Sequence, residues 1–268
     1  ALAPYLVPMG LFPYKFRKFQ EELVESIADS TSSASHLVLE SGTGTGKTVC
    51  ALAGTLDTAL KNDKKVLYLT RTNSQQHQVM TELRKINDIT PVFGVAIQGR
   101  QNTCPLVQRD PDLRSGTPEE LSKLCAEKKA RAISDSEGGC RFYRKTITSD
   151  FEDVEKYCRE NLPSVEEFSD YCDKRGMCPH ELTKDLLSRA TVVAAPYVYF
   201  FSPYIRQRLL GWMNISETDL IVIVDEAHNL PEYAREIKSF KLSSKVIELV
   251  NNCLLYTSPS PRDGLLSR

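Results

Sequence analysis

Ser41-Gly42-Thr43-Gly44-Thr45-Gly46-Lys47-Thr48 decides how this chain is read. Glycine at every second position lets the backbone turn until successive N–H groups face one point, and a lysine and a threonine close the run. That is the composition of a phosphate cradle. The backbone N–H groups of Ser41, Gly42, Thr43, Gly44, Thr45 and Gly46 wrap the phosphates of ATP or a close relative. Lys47 reaches the β and γ oxygens, and the Thr48 hydroxyl ligates Mg²⁺. The run departs from the strict pattern at its first position, where Ser41 stands in place of glycine. His36-Leu37-Val38-Leu39 ahead of it reads as a short strand, and residues 48–60 read as a helix, the strand–loop–helix setting such a loop requires.

A second run answers the first. Leu220-Ile221-Val222-Ile223-Val224 is apolar and short, and it ends in Asp225-Glu226-Ala227-His228. Asp225 is placed to hold the same Mg²⁺, and Glu226 to orient or deprotonate the attacking water. Lys47, Asp225, Glu226 and His228 are the expected catalytic set.

Outward from these two runs the chain alternates. Residues 19–28 have helical spacing, 66–70 read as a buried strand, 74–86 as a helix and 92–97 as a strand. After Gly99 the rhythm stops, to return with strand-like runs at 189–195 and 220–224. Strands alternating with helices imply a mostly parallel sheet with helices on both faces. The interval 100–188 is an insertion of short helical stretches and turns. Residues 232–250 read as a further helix.

Composition adds bounds. The chain of 268 residues is 41% hydrophobic and 26% charged, ordinary values for a soluble globular protein. A net charge of −1 gives no hint of nucleic acid. No apolar stretch approaches the roughly 20 residues of a membrane span, so no membrane partner is expected. Residues 1–12 lack a basic leader and carry Pro4 and Pro8, which argues against a signal peptide. Met9 is read as a start, with residues 1–8 from upstream sequence. Residues 253–268 have neither period nor core residues and are read as a non-native tail.

Of eight cysteines, Cys104, Cys125, Cys140, Cys158, Cys172 and Cys178 fall in the insertion. An insertion with few apolar residues gains from a metal staple, and clustered thiols beside a nucleotide signature suit a reducing compartment. No C-x₂-C pair occurs, so spacing leaves zinc and an iron–sulfur cluster both open. Cys50 reads as core.

Taken in order, Gln20, Ser41–Thr48, Thr70-Arg71-Thr72, Gly99-Arg100-Gln101-Asn102-Thr103-Cys104, Cys140-Arg141-Phe142-Tyr143, Cys178-Pro179 and Asp225–His228 resemble the XPD family of iron–sulfur superfamily 2 DNA helicases, archaeal type. The resemblance runs from about Phe12 to Asn252 and implies a RecA-like first motor domain, of the DEAH-box kind, interrupted by a small, mostly helical iron–sulfur insertion. The implied bounds are 9–99 and 189–231 for the motor domain, 100–188 for the insertion and 232–252 for the start of an arch domain. It implies a [4Fe–4S] cluster on Cys104, Cys125, Cys140 and Cys178, with Cys172 second choice for the last place and Cys158 spare. It places Phe16, Arg17 and Gln20 at the adenine, where without the family Gln20 reads as a helix-surface residue. Arg71 and Thr72 are implied at a DNA phosphate, and Arg100 between the cluster and the DNA path.

The protein expected on these grounds is the N-terminal motor half of an ATP-dependent, 5′→3′ DNA helicase of repair. It would be a monomer acting on single-stranded and forked DNA, and would need a second motor domain of the same protein. Its place would be the cytoplasm at the nucleoid, or the nucleus in a eukaryote. The other reading is a metal-stabilised nucleic-acid-binding ATPase that switches without unwinding.

Overall fold

The apolar run that follows the charged turn at residues 61–65 forms the central strand, β1 (Lys65–Thr70), with five consecutive buried residues. A strand can bury both faces in this way only when helices cover each side of its sheet. β2 (Gly94–Ala96), β3 (Val192–Pro196) and β4 (Leu220–Val224) complete a parallel sheet of order β2-β3-β1-β4. Val66 stands opposite Val192 on one side and Ile221 on the other. The computed structural model describes residues 8–42 and 44–239. The described residues up to Ala227 form one compact unit, and those from His228 a second.

Parallel neighbours need crossovers, and helices supply them. α1 (Gln20–Ser32), α2 (Lys47–Lys61) and α3 (Asn73–Asn87) each turn an apolar stripe inward. On α3 the stripe is Val79, Met80, Leu83 and Ile86, all buried, at about 1.5–3 kcal/mol for each aliphatic side chain taken out of water. α1 approaches α2 closely at Gly54, where an added Cβ would stand 2.7 Å from the Ile27 Cβ.

The insertion is helical throughout: α4 (Arg100–Thr103), α5 (Pro105–Arg109), α6 (Pro111–Arg114), α7 (Pro118–Ile133), α8 (Arg141–Ile147), α9 (Phe151–Asn161), α10 (Val165–Lys174) and α11 (Pro179–Leu187). It borrows its core from the sheet domain. Leu162 and Val165 belong to the same buried cluster as Val66, Tyr68 and Val192. From α3, Arg84 Nε donates to the carbonyls of Asn161 and Leu162, both at 3.0 Å, and its guanidinium pairs with Glu167. Two further helices, α12 (Val198–Phe201) and α13 (Pro203–Met213), join β3 to β4.

Two strand expectations change. His36–Leu39 forms no strand; Val38 is 93% exposed. An apolar run becomes a strand only where a sheet edge can pair with it. Among the described residues β4 ends the sheet on its outer side, all five of its residues only half-buried. The strand expected at 92–97 shrinks to Gly94–Ala96. In the second unit α14 (Leu230–Lys238) starts two residues before the expected helix, and residues 240–250 of that expectation lie outside the described residues.

Candidate nucleotide site and thiol cluster

The glycine-rich run links into the first turn of α2, which supplies the helix half of the strand–loop–helix setting, while the strand half is absent among the described residues. Gly44 and Gly46 hold φ of 75° and 81°, left-handed values that favour glycine. A Cβ on Gly46 would meet Gln20 Nε2 at 2.7 Å. Gln20 is therefore no surface residue. It is 7% exposed, its Oε1 accepts from the Arg17 N–H at 2.8 Å, and its Nε2 donates to the Thr45 carbonyl at 2.7 Å. Arg17 also reaches the Gly44 carbonyl, at 3.4 Å. Within the loop, Ser41 Oγ donates to Thr45 Oγ1 at 2.8 Å, which in turn donates to the Gly42 carbonyl at 2.9 Å. Ser41 thus closes the cradle by a side-chain bond. Thr43 lies outside the described residues.

Lys47 Nζ donates to the Ser41 carbonyl at 3.1 Å and stands 3.7 Å from Glu226 Oε1. The two runs quoted from opposite ends of the sequence meet here. Asp225 prolongs the sheet, its N–H donating to the Leu69 carbonyl at 3.0 Å. Burial, then the charge of Glu226, pushes the Asp225 carboxyl above the usual aspartate range, and Lys47 only partly opposes this. Glu226 has φ of 51°, a left-handed value that costs a side-chain-bearing residue about 1–2 kcal/mol. Its position is tied down by Tyr197, whose hydroxyl donates to the Asp225 carbonyl and, at 3.2 Å, to that of Glu226. Tyr68, a buried tyrosine, lies near Thr48 and Asp225. His228 opens the second unit.

Tyr197 is absent from the sequence-based set. Its only signal is an aromatic just past the β3 run, where a parallel strand presents its carboxyl end.

Arg71 and Thr72 follow β1. Thr72 caps α3 in a reciprocal box with Gln75, whose Oε1 accepts from both the Arg71 and Thr72 N–H groups at 3.0 Å. Arg100 turns inward instead. Its side chain is 17% exposed, 3.9 Å from Glu181, and its Nε has no partner among the described residues. Lys129 and Lys184 close on the same Glu181 at 3.0 and 2.7 Å. Beside them His180 is 4% exposed with neither ring nitrogen bonded, and burial pushes its pKa down to about 3.

Three of the four expected cluster cysteines stand immediately before a helix: Cys104 before α5, Cys140 before α8 and Cys178 before α11. Cys125 lies within α7. N–H groups at a helix start favour negative charge. The backbone N–H groups of Val107 and Leu106 favour the Cys104 thiolate, and that of Glu181 the Cys178 thiolate, but burial outweighs them. Burial raises both thiols, Cys178 to about 12, and the charges of neighbouring thiols raise them further: Cys125 and Cys140 at Cys104, Cys104 and Cys125 at Cys178. Cys104 thus senses Cys125 and Cys140, and Cys178 senses Cys104 and Cys125. Cys172 is fully buried and senses Cys158 and Cys178, not the other three. Among the described residues no three His, Cys, Asp or Glu side chains stand as they would around a single metal ion.

Residues 68–247, more than half the chain, match the DEAD_2 family. Among relatives, the Saccharomyces cerevisiae general transcription and DNA repair factor IIH helicase subunit XPD/RAD3 is 26% identical over 256 residues, covering 88% of this chain and 32% of that protein. The Homo sapiens regulator of telomere elongation helicase 1 is 25% identical over 279 residues, covering 87% of this chain and 21% of that protein. A solved structure titled XPD_Helicase superposes with a TM-score of 0.63 at 22% identity, over 88% of this chain and 36% of the other. One titled Truncated XPD gives 0.55 at 22% identity, over 87% and 58%. These two structures speak for the fold alone. The chain spans about a third or less of the length of the curated relatives it matches. With a parallel α/β sheet, a phosphate loop meeting an acidic pair at its carboxyl end, and a match through both the insertion and that pair, the chain belongs to the DEAD_2 family.

Proposed function

We propose that this chain is the ATP-binding part of a 5′→3′ DNA helicase that serves in DNA repair. The observation that carries the reading is the 3.7 Å approach of Lys47 to Glu226, which puts a phosphate-binding cation and a candidate water-activating carboxylate in one site. Gly42, Gly44 and Gly46 would admit the phosphates, Thr48 and Asp225 would hold Mg²⁺, and Gln20 with Arg17 would border the base. Arg71 and Thr72, at the start of α3, would meet a DNA phosphate, since a helix start offers N–H groups to an anion.

The same reading assigns the insertion at 100–188 a [4Fe–4S] cluster on Cys104, Cys125, Cys140 and Cys178. The donor set fits: four thiols, three of them immediately before helix starts, where N–H groups favour negative charge. A cluster spreads its ligands around a larger body than one ion does. The choice of the cluster over zinc rests on the family resemblance. When bound, the cluster would supply a rigid staple for α5, α7, α8 and α11.

Protein purified without oxygen should be brown and hold about four iron atoms per chain. Replacing any of the four cysteines with serine should remove the colour, whereas Cys50→Ser or Cys158→Ser should keep it. Stoichiometric zinc in the wild type would overturn the cluster. DNA-stimulated ATP turnover in a protein extended to the length of the relatives separates the motor from a nucleic-acid-binding switch.

A further inference from the structure

Three side-chain amides join the sheet to the turn that carries Cys104. Gln76, near the start of α3 and 2% exposed, donates from Nε2 to the Ala194 carbonyl at 2.7 Å and the Ile97 carbonyl at 3.0 Å. Its Oε1 accepts from Gln98 Nε2 at 2.6 Å, and Gln98 is also 2% exposed. Gln98 Oε1 accepts in turn from Asn102 Nδ2 at 2.9 Å. Asn102 lies on α4, and the Cys104 N–H donates to the Arg100 carbonyl of that helix at 2.9 Å.

Packing alone does not call for this arrangement. A buried amide costs free energy unless its groups are paired, so apolar side chains would fill the same space at lower risk. What amides add is direction: each donor has one acceptor, and the run can be satisfied in one orientation. α4 needs such a restraint. At four residues it is a single turn, and an isolated turn does not hold itself.

We propose that Gln76, Gln98 and Asn102 are positioning residues that fix α4, and with it the Cys104 sulfur, against the carboxyl ends of β2 and β3. The role toward a cluster rests on the four-thiol reading above; the fixing of Cys104 does not. In consequence the sheet that carries the acidic pair Asp225 and Glu226 also sets one corner of the thiol group.

Gln98→Leu removes both outer links with a side chain of similar shape. Asn102→Ala removes only the last link, at an exposed position. In protein purified without oxygen, three readouts are compared with wild type: alkylation of Cys104 relative to Cys125 by peptide mass spectrometry, iron per chain with the electron paramagnetic resonance spectrum of the reduced protein, and the thermal midpoint. Both variants should raise Cys104 alkylation several-fold with Cys125 unchanged and should alter the spectrum; the midpoint should move little in Asn102→Ala and fall in Gln98→Leu, which leaves the buried Gln76 Oε1 unpaired. Asn102→Asp, which cannot donate when ionised, should behave as Asn102→Ala, and Asn102→Gln should restore part of the protection. Unchanged Cys104 reactivity with a superimposable spectrum overturns the proposal. So does a parallel rise at all cysteines with a lowered midpoint, which marks general loosening. A wild type without iron defeats the cluster reading alone, because the alkylation comparison still reports on Cys104.

Discussion

At the scale of single residues, the site turns on how Lys47, Asp225 and Glu226 share a small space. Lys47 Nζ rests on the Ser41 carbonyl and near Glu226, so an incoming triphosphate exchanges weak partners for strong ones. Lys47→Ala should weaken Mg²⁺–nucleotide binding by about 1.5–3 kcal/mol, the worth of hydrogen bonds to charged groups. Glu226→Gln should leave binding intact and slow turnover by about 10²–10⁴, the share of a positioned base. Fluorescent-nucleotide titration and phosphate release, in a protein extended to the relatives' length, separate the two; equal loss of binding in both variants means the carboxylates are misassigned. Asp225 offers a pH test. Its folded pKa is raised, chiefly by burial, so the neutral form is favoured and the stability contribution is lost as pH rises through that pKa. Asp225→Asn should therefore raise the melting temperature of the metal-free chain at pH 7 while abolishing Mg²⁺-dependent binding, and a lowered midpoint counts against this. In the wild type, Mg²⁺-dependent binding should start to weaken, as pH falls, sooner than an ordinary aspartate would cause. The sequence displayed most of this site, because glycines, a lysine and paired acids carry their chemistry in their identity. Read residue by residue it hid Gln20, which the family resemblance alone singled out, and it hid Tyr197; both roles depend on the loop and strand end that folding brings beside them.

At the scale of elements, the question is what anchors the helical insertion to the sheet. Arg84 does it with two kinds of bond whose magnitudes differ. The pair with Glu167 joins side chains that are 32% and 47% exposed, and such pairs contribute about 0–1 kcal/mol. The bonds from Arg84 Nε to the Asn161 and Leu162 carbonyls cap the end of α9 and are charge-assisted, about 1.5–3 kcal/mol. Arg84→Ala should thus destabilise by about 2–3 kcal/mol and Glu167→Gln by under about 1 kcal/mol, read by denaturant unfolding. Equal effects would show that the ion pair, and not the backbone contact, anchors the insertion. Elements with strong local signatures were legible: β1 and β4 as apolar runs, α2 and α3 from their spacing. His36–Leu39 was misread because pairing is decided by what lies alongside, which no local pattern encodes. α12 and α13 escaped notice because Pro203 and the clustered aromatics at 197–201 blur the helical period.

At the scale of the whole molecule, the 268-residue chain is expected to bind nucleotide without unwinding DNA. Phosphoryl transfer in such motors draws about 10³–10⁵ in rate from an arginine supplied outside the phosphate loop and its acidic pair, and this chain spans about a third or less of its curated relatives. A strand-displacement assay on a 5′-tailed duplex should stay flat with this chain and respond with one extended to the relatives' length; unwinding by the short chain alone defeats the expectation. The outer side of β4, bare among the described residues, has a practical meaning as well. Its N–H and C=O groups on that side are a template for any extended backbone, and Val38, just ahead of the phosphate loop in sequence, offers an apolar side chain to solvent. A net charge of −1 supplies almost no mutual repulsion between copies. Handling is then expected to be governed by crowding: light scattering should rise with protein concentration and respond little to added salt, and a flat scattering signal over the concentration range counts against this.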